Sequence, residues 1–277
     1  MARGQEMTTQ TSPIRGSARA NRLGRDAPLA FAVVLVMSSL PARADPNALW
    51  RIVHDGCTPH FEAGEGPKPC EAVDWNGGAA EGVAILKDLN GVAQMLAIPT
   101  RRISGVEDPQ MLAPDAPPVF ADGWKAKALV EARLGGHSLP REAVALAINS
   151  QYARSQDQLH VHVDCVRVDV IEALKAYAPA LDDEWRAMTV PPLDGRVYFA
   201  RRLISDDLSR GEPVLRLIAD GLPDAKTHMG ATSLAVVGAA YGGRPGFILL
   251  ADLFSLKGGG HAEDIEDHNC AVAKTAP

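Results

Sequence analysis

Apolar and polar positions alternate along Gln158-Leu159-His160-Val161-His162-Val163-Asp164, the period of a strand with one buried face. Leu159, Val161 and Val163 are expected to face the core. Gln158, His160 and His162 then stand together on the opposite face, and strict alternation adds Asp164 to it. Upstream, residues 46–55 read as a short helix, 58–69 as a surface loop and 75–80 as a turn region. Residues 82–88 are apolar and β-branched enough for a strand. Asn90-Gly91 follows as a hairpin signal, and residues 93–98 form the returning strand, ended by Pro99. Lys87 lies at one end of this hairpin, and Arg101 and Arg102 emerge at the other. Residues 119–134 offer Trp124, Ala128, Val130 and Leu134 for helical packing, and Gly135-Gly136 stops that helix. A strand at 144–148 and a polar loop at 151–157 lead into the histidine strand. Residues 168–177 read as a helix, with Asp169 suited to its N-terminus.

Residues 179–195 carry Pro and Asp and read as a linker. Beyond them comes a second, smaller set: a strand at 196–203, a helix at 213–220, and strands at 234–239 and 247–251 around the turn at 241–246. The class is α+β, an antiparallel sheet with flanking helices. Residues 45–178 form the catalytic half, and 179–277 a C-terminal half that completes the same domain. No sequence repeat is visible between the two.

Charge and composition sharpen this. Residues 1–44 hold six Arg against two acids, whereas residues 45–277 hold 22 basic and 32 acidic residues. An acidic body excludes the basic stripe of a nucleic-acid binder. Arg15, Arg19, Arg22 and Arg25 precede the apolar run 27–37, and Ala42-Arg43-Ala44 offers small residues for cleavage. Residues 1–44 therefore read as a signal peptide or an N-terminal membrane anchor, with the body on the periplasmic side of the inner membrane. Four cysteines fit an exported protein. Cys57–Cys70 would clamp a local loop, and Cys165–Cys270 would tie the end of the histidine strand to the C-terminus. A zinc site competes, but no C-x-x-C or H-x-x-x-H spacing accompanies these cysteines.

The paired histidines carry the chemistry. Neighbours on one strand face stand roughly 6.5 Å apart, a gap that lets two imidazoles approach one phosphorus centre. Imidazole is a nucleophile and proton shuttle near neutral pH. His160 is the candidate nucleophile, and His162 the group that protonates the leaving oxygen or holds the phosphate. Donors from Asn149, Ser150, Arg154, Ser155 and Gln158 let such a displacement run without metal or cofactor. Metal ligation by His-x-His and a plain solvent-facing pair are the competing readings. Lys87, Arg101 and Arg102 would neutralise a diphosphate, or stand as ordinary solvated charges.

The order Ile148-Asn149-Ser150, then Ser155-Gln156-Asp157-Gln158-Leu159-His160-Val161-His162-Val163-Asp164-Cys165-Val166-Arg167, resembles the CDP-diacylglycerol pyrophosphatase family of the histidine-triad superfamily. Leu86-Lys87-Asp88-Leu89-Asn90-Gly91, Ile98-Pro99-Thr100-Arg101-Arg102-Ile103, Phe199-Ala200-Arg201-Arg202, His228-Met229-Gly230 and Asp267-His268-Asn269-Cys270 extend the likeness from about Pro46 to Cys270. The resemblance implies a sheet of the histidine-triad type and hydrolysis of CDP-diacylglycerol at a membrane surface to CMP and phosphatidate. It implies a nucleotidyl intermediate on His160, phosphate contact by His162, and binding by Asn149 and Ser155. A soluble nucleotide-diphosphate hydrolase, a nucleotidyl transferase and a non-catalytic binder remain alternatives. Two departures stand out. Gln158 replaces the first histidine of the triad, and Asp164 is expected to raise the pKa of His162.

Overall fold

The computed structural model describes residues 45–75, 77–78, 81–193, 195–209, 213–254 and 259–274. The expected signal or anchor falls outside these. Among the described residues no helix is long and apolar enough to cross a membrane.

Among the described residues nine antiparallel strands make one sheet, in the order β1-β2-β3-β5-β4-β8-β9-β7-β6. These are β1 Ala72–Asp74, β2 Val83–Lys87, β3 Met95–Pro99, β4 Val144–Ile148, β5 Val161–Cys165, β6 Arg186–Val190, β7 Arg196–Leu203, β8 Thr232–Tyr241 and β9 Arg244–Leu253. The helices are α1 Ala48–Arg51, α2 Thr58–Glu62, α3 Val119–Lys125, α4 Lys127–Arg133, α5 Val168–Tyr177 and α6 Val214–Gly221, with a π-helical stretch, Ile52–Cys57, joining α1 to α2.

The α+β class and the antiparallel sheet are as expected, and α5 spans the expected residues. Four local readings change. The loop expected at 58–69 begins as α2. The helix expected over 119–134 is two helices meeting at Ala126. The linker at 179–195 contains β6, whose pattern of exposed and buried residues is that of an edge strand with one face in water. The histidine strand proper starts at Val161, so Gln158, Leu159 and His160 precede it, with Gln158 in a bend.

Strand order exposes a relation that residue identity conceals. Hairpin β2–β3, then α3 and α4, then β4 and β5 give the neighbour order β2-β3-β5-β4. Hairpin β6–β7, then α6, then β8 and β9 give β6-β7-β9-β8. The halves share one topology and meet through β4 and β8. Leu96, His162 and Ala147 lie in one cross-strand row of the first half. A matching row in the second half, Arg202, Ile248 and Val237, lines a pocket of about 380 Å³. In that row the β9 residue is aliphatic, whereas the corresponding strand β5 carries a histidine.

The two sheet faces are packed differently. Val161 and Val163 are fully buried beneath α3, whose Gly123 comes so close that an added Cβ would sit 3.3 Å from Leu146 and 3.5 Å from Ala97 and Val163. On the histidine face, Val53, Cys57 and Cys70 pack on Ala84, Leu86, Leu96 and Ile98 as a second core cluster. That cluster covers β2 and β3 and stops short of His160.

Candidate active site

His162 sits within β5, paired with Leu96 of β3 and Ala147 of β4. His160 precedes the strand by one residue, half-buried. Their ring centroids are 4.9 Å apart with planes at 63°, so alternation delivers the shared face that the pattern predicted. Both line a cavity of about 700 Å³. Asn149, Ser155 and Glu263 form its polar side, and Leu49, Ile52, Leu86 and Leu96 its apolar side.

Hydrogen bonds fix the two rings in opposite tautomers. His160 Nδ1 lies 2.8 Å from the carbonyl oxygen of Gln158. A carbonyl only accepts, so Nδ1 carries the proton and Nε2 keeps its lone pair. His162 Nδ1 lies 3.2 Å from Gln94 Nε2, which also donates to Glu266 Oε2 at 3.1 Å. An amide nitrogen only donates, so His162 Nδ1 accepts and its proton in the neutral form sits on Nε2. That Nε2 is 3.1 Å from Glu263 Oε2, in an alignment outside hydrogen-bond geometry. One ring thus offers a lone pair and the other an N–H.

Burial holds both rings neutral. Desolvation lowers the pKa of His160 to about 4, with the His162 ring adding to the shift. Desolvation likewise lowers His162 to about 4, against a weaker upward pull from Asp88. The expectation that Asp164 would raise His162 is overturned. Asp164 is on the same face but wholly buried, and its Oδ2 accepts instead from His268 Nδ1 at 2.8 Å. That hydrogen bond raises the pKa of His268. Burial raises Asp164. Burial, then the neighbouring Asp164 charge, pushes Glu266 well above the carboxylate range.

Both disulfides form as expected, Cys57–Cys70 and Cys165–Cys270. The second brings residues 105 apart in sequence together, so the segment bearing Glu266 and His268 lies against β5. Asp164, Glu266 and His268 place one ligand atom each within 4.8 Å of one another. Among the described residues this is the donor set with the chemistry for a divalent cation, since the sulfurs beside it are spent on the disulfide.

The other expected residues divide. Asn149 lines the cavity, and its Oδ1 accepts from the Glu263 amide at 3.4 Å. Ser155 and Lys87 line it too. Gln158 is buried away from it, with Nε2 donating to the Pro99 and Arg101 carbonyls at 3.0 Å each and Oε1 accepting from Ile103 N at 3.4 Å. Ser150 is buried outside the lining, its amide donating to Gly260 O at 2.9 Å. Arg101 pairs with Asp115 at 3.3 Å. Arg102 donates to Asn47 and lies over the Trp50 ring, 5.4 Å from its centroid. Neither arginine lines the cavity. Sequence reading missed Gln94, Glu263 and Glu266. Gln94 had a faint signal, a lone amide at the start of an apolar strand. The two glutamates sit in an acidic stretch with none.

These features place the molecule among antiparallel α+β proteins, with a His-x-His strand lining its candidate site. The chain belongs to the CDP-diacylglycerol pyrophosphatase family, whose model matches residues 44–274. It is 37% identical over 236 residues to a CDP-diacylglycerol pyrophosphatase of Yersinia pestis, covering 84% of this chain and 88% of that one.

Proposed function

We propose that this protein hydrolyses the pyrophosphate of CDP-diacylglycerol, giving CMP and phosphatidate, with His160 as nucleophile. The observation that carries the reading is the pair of opposite tautomers: a lone pair on His160 Nε2 and an N–H on His162 Nε2, 4.9 Å apart between ring centres.

In the first step His160 Nε2 attacks the phosphorus bearing cytidine. The P–N bond forms as the bond to the bridging oxygen breaks, the phosphatidate leaves as an anion carrying that electron pair, and His162 Nε2–H donates a hydrogen bond to the charge that develops on the departing oxygen. The nucleotidylated imidazole keeps its Nδ1 proton, so it is cationic, and the Gln158 carbonyl stabilises that charge. In the second step water attacks the same phosphorus as the P–N bond breaks, the bond's electron pair returns to His160 Nε2, and the water keeps one proton on the CMP phosphate and releases the other to solvent. CMP leaves with both rings in their starting tautomers. Asn149 and Ser155 supply polar contacts to the phosphates. Depressed pKa values support the roles, because a ring that is neutral near pH 7 keeps its nucleophilic lone pair.

The paired disulfides are compatible with an exported protein, and we place the enzyme on the periplasmic side of the inner membrane. The test is CMP release from CDP-diacylglycerol by the purified full-length chain, with brief quenched incubations using substrate labelled on the cytidine-bearing phosphorus. Acid-labile label on histidine in the wild type and none in His160→Ala is expected. Full turnover by His160→Ala would remove His160 from the mechanism.

A further inference from the structure

We propose that the turn between β2 and β3, residues 88–94, is a wedge that enters the lipid bilayer and sets the mouth of the histidine cavity against the membrane. The inference rests on the lipid substrate proposed above and says how the enzyme reaches it.

Leu89 is 101% exposed and Val92 52%. Two large apolar side chains thus point outward from one short turn. An isolated exposed leucine carries no message, but the backbone of this turn is unusual for a water-facing loop. Lys87 Nζ donates to the carbonyls of Asp88 at 2.6 Å, Asn90 at 3.2 Å and Gly91 at 3.0 Å. Asn90 N donates to Asp88 Oδ1 at 2.9 Å, Asp88 N to Gln94 O at 3.1 Å and Val92 N to His268 O at 2.8 Å. Water would satisfy these groups without help. In lipid an unpaired backbone group is costly, and internal partners become obligatory. Much of the turn's polar backbone is thus answered by the protein while leucine and valine face outward, which lowers the cost of leaving water.

Its position names the occupant. Leu89 and Asn90 line the same cavity as His160 and His162. Ala48, Leu49 and Ile52 line it as well, and the described chain begins three residues before Ala48, at Asp45. Forty-four residues precede that point, including the apolar run 27–37. The wedge and α1 therefore lie at one cavity. A bilayer that takes up the wedge brings a diphosphate-linked lipid to the cavity that the histidines line.

The N-terminal segment would hold every variant at a vesicle, so local insertion is the readout. All four native cysteines are in disulfides, so one added cysteine can carry an environment-sensitive fluorophore. We expect L89C and V92C, each labelled in the full-length chain, to shift to the blue on phosphatidylcholine–phosphatidylglycerol vesicles and to be quenched by lipids brominated near the headgroup end of the chain. V197C, on a side chain 54% exposed in the other half, should show neither effect. Lack of quenching at 89 and 92, or equal quenching at 197, overturns the wedge. In a second arm, L89D/V92D should lower the ratio of turnover on vesicle-borne CDP-diacylglycerol to turnover on its water-soluble dibutyryl form by at least about tenfold. An unchanged ratio overturns the proposal. Should the wild type hydrolyse neither form, the proposed activity fails, while the quenching measurement still decides the wedge.

Discussion

Gln94 Nε2 donates to His162 Nδ1 at 3.2 Å while also donating to the buried Glu266 carboxyl. The amide comes from the residue just before β3 and the imidazole from β5, and the contact decides which nitrogen of His162 bears the proton. With its proton on Nε2, His162 presents a hydrogen-bond donor on the His160 side of the cavity.

Gln94→Leu removes that constraint while keeping the volume close. Its kcat should fall by about 10²-fold, the lower range for loss of one preorganised hydrogen-bond donor, with KM changed much less. Stability should drop by about 1–3 kcal/mol because Glu266 loses its donor. Steady-state kinetics beside thermal unfolding separates the two effects. An unchanged kcat would show that His162 needs no tautomer control.

The depressed histidines set a pH dependence. Unfolded histidine binds its proton near pH 6.5, whereas folded His160 and His162 do so only at about 4. Between those values the unfolded chain holds more protons, so this contribution to stability is present above 6.5 and lost as pH falls towards 4. Asp164 and Glu266, with raised values, act in the opposite sense, so the comparison should be differential. Wild type should lose stability relative to His160→Gln over that window, in denaturant titrations at stepped pH. The acid limb of kcat/KM should lie near 4 rather than 6.5.

The long disulfide should matter more than the short one. Cys165–Cys270 spans 105 residues and Cys57–Cys70 spans 13. Loop-closure entropy gives about 4.7 kcal/mol for the former and about 3 for the latter. Paired Cys→Ala variants should rank accordingly in unfolding free energy. The C165A/C270A pair should also lose activity in its folded form, because it frees the segment carrying Glu263, Glu266 and His268.

Gln158 occupies the place of the first histidine, but its side chain is spent on the backbone at Pro99, Arg101 and Ile103. Gln158→Ala should therefore destabilise the fold by about 1–3 kcal/mol, read as a lowered Tm. Gln158→His should not raise kcat, since that side chain points away from the cavity.

Alternation along 158–164 was enough to put His160 and His162 on one face, because a strand's side-chain period is fixed by its backbone. Hairpin β2–β3 was equally legible, from an apolar run, Asn90-Gly91 and a second run. The edge strand β6 was not, because only two of its five side chains are buried and a half-wet strand in a Pro- and Asp-bearing stretch looks like a linker. Arg101 and Arg102 looked available for phosphate, but nothing in their local spacing announces Asp115, Asn47 or Trp50.

The sequence by itself determined the α+β class, the histidine pair and the four cysteines available for pairing, since each depends on local period or residue type. Only the tertiary structure decided the tautomers, the depressed pKa values and the shared topology of the halves. Gln94 and His162 are 68 residues apart, and Asp164 and His268 are 104 apart. Which donor meets which ring, and how dry that meeting place is, depends on how distant segments pack across the sheet, and no local pattern records it.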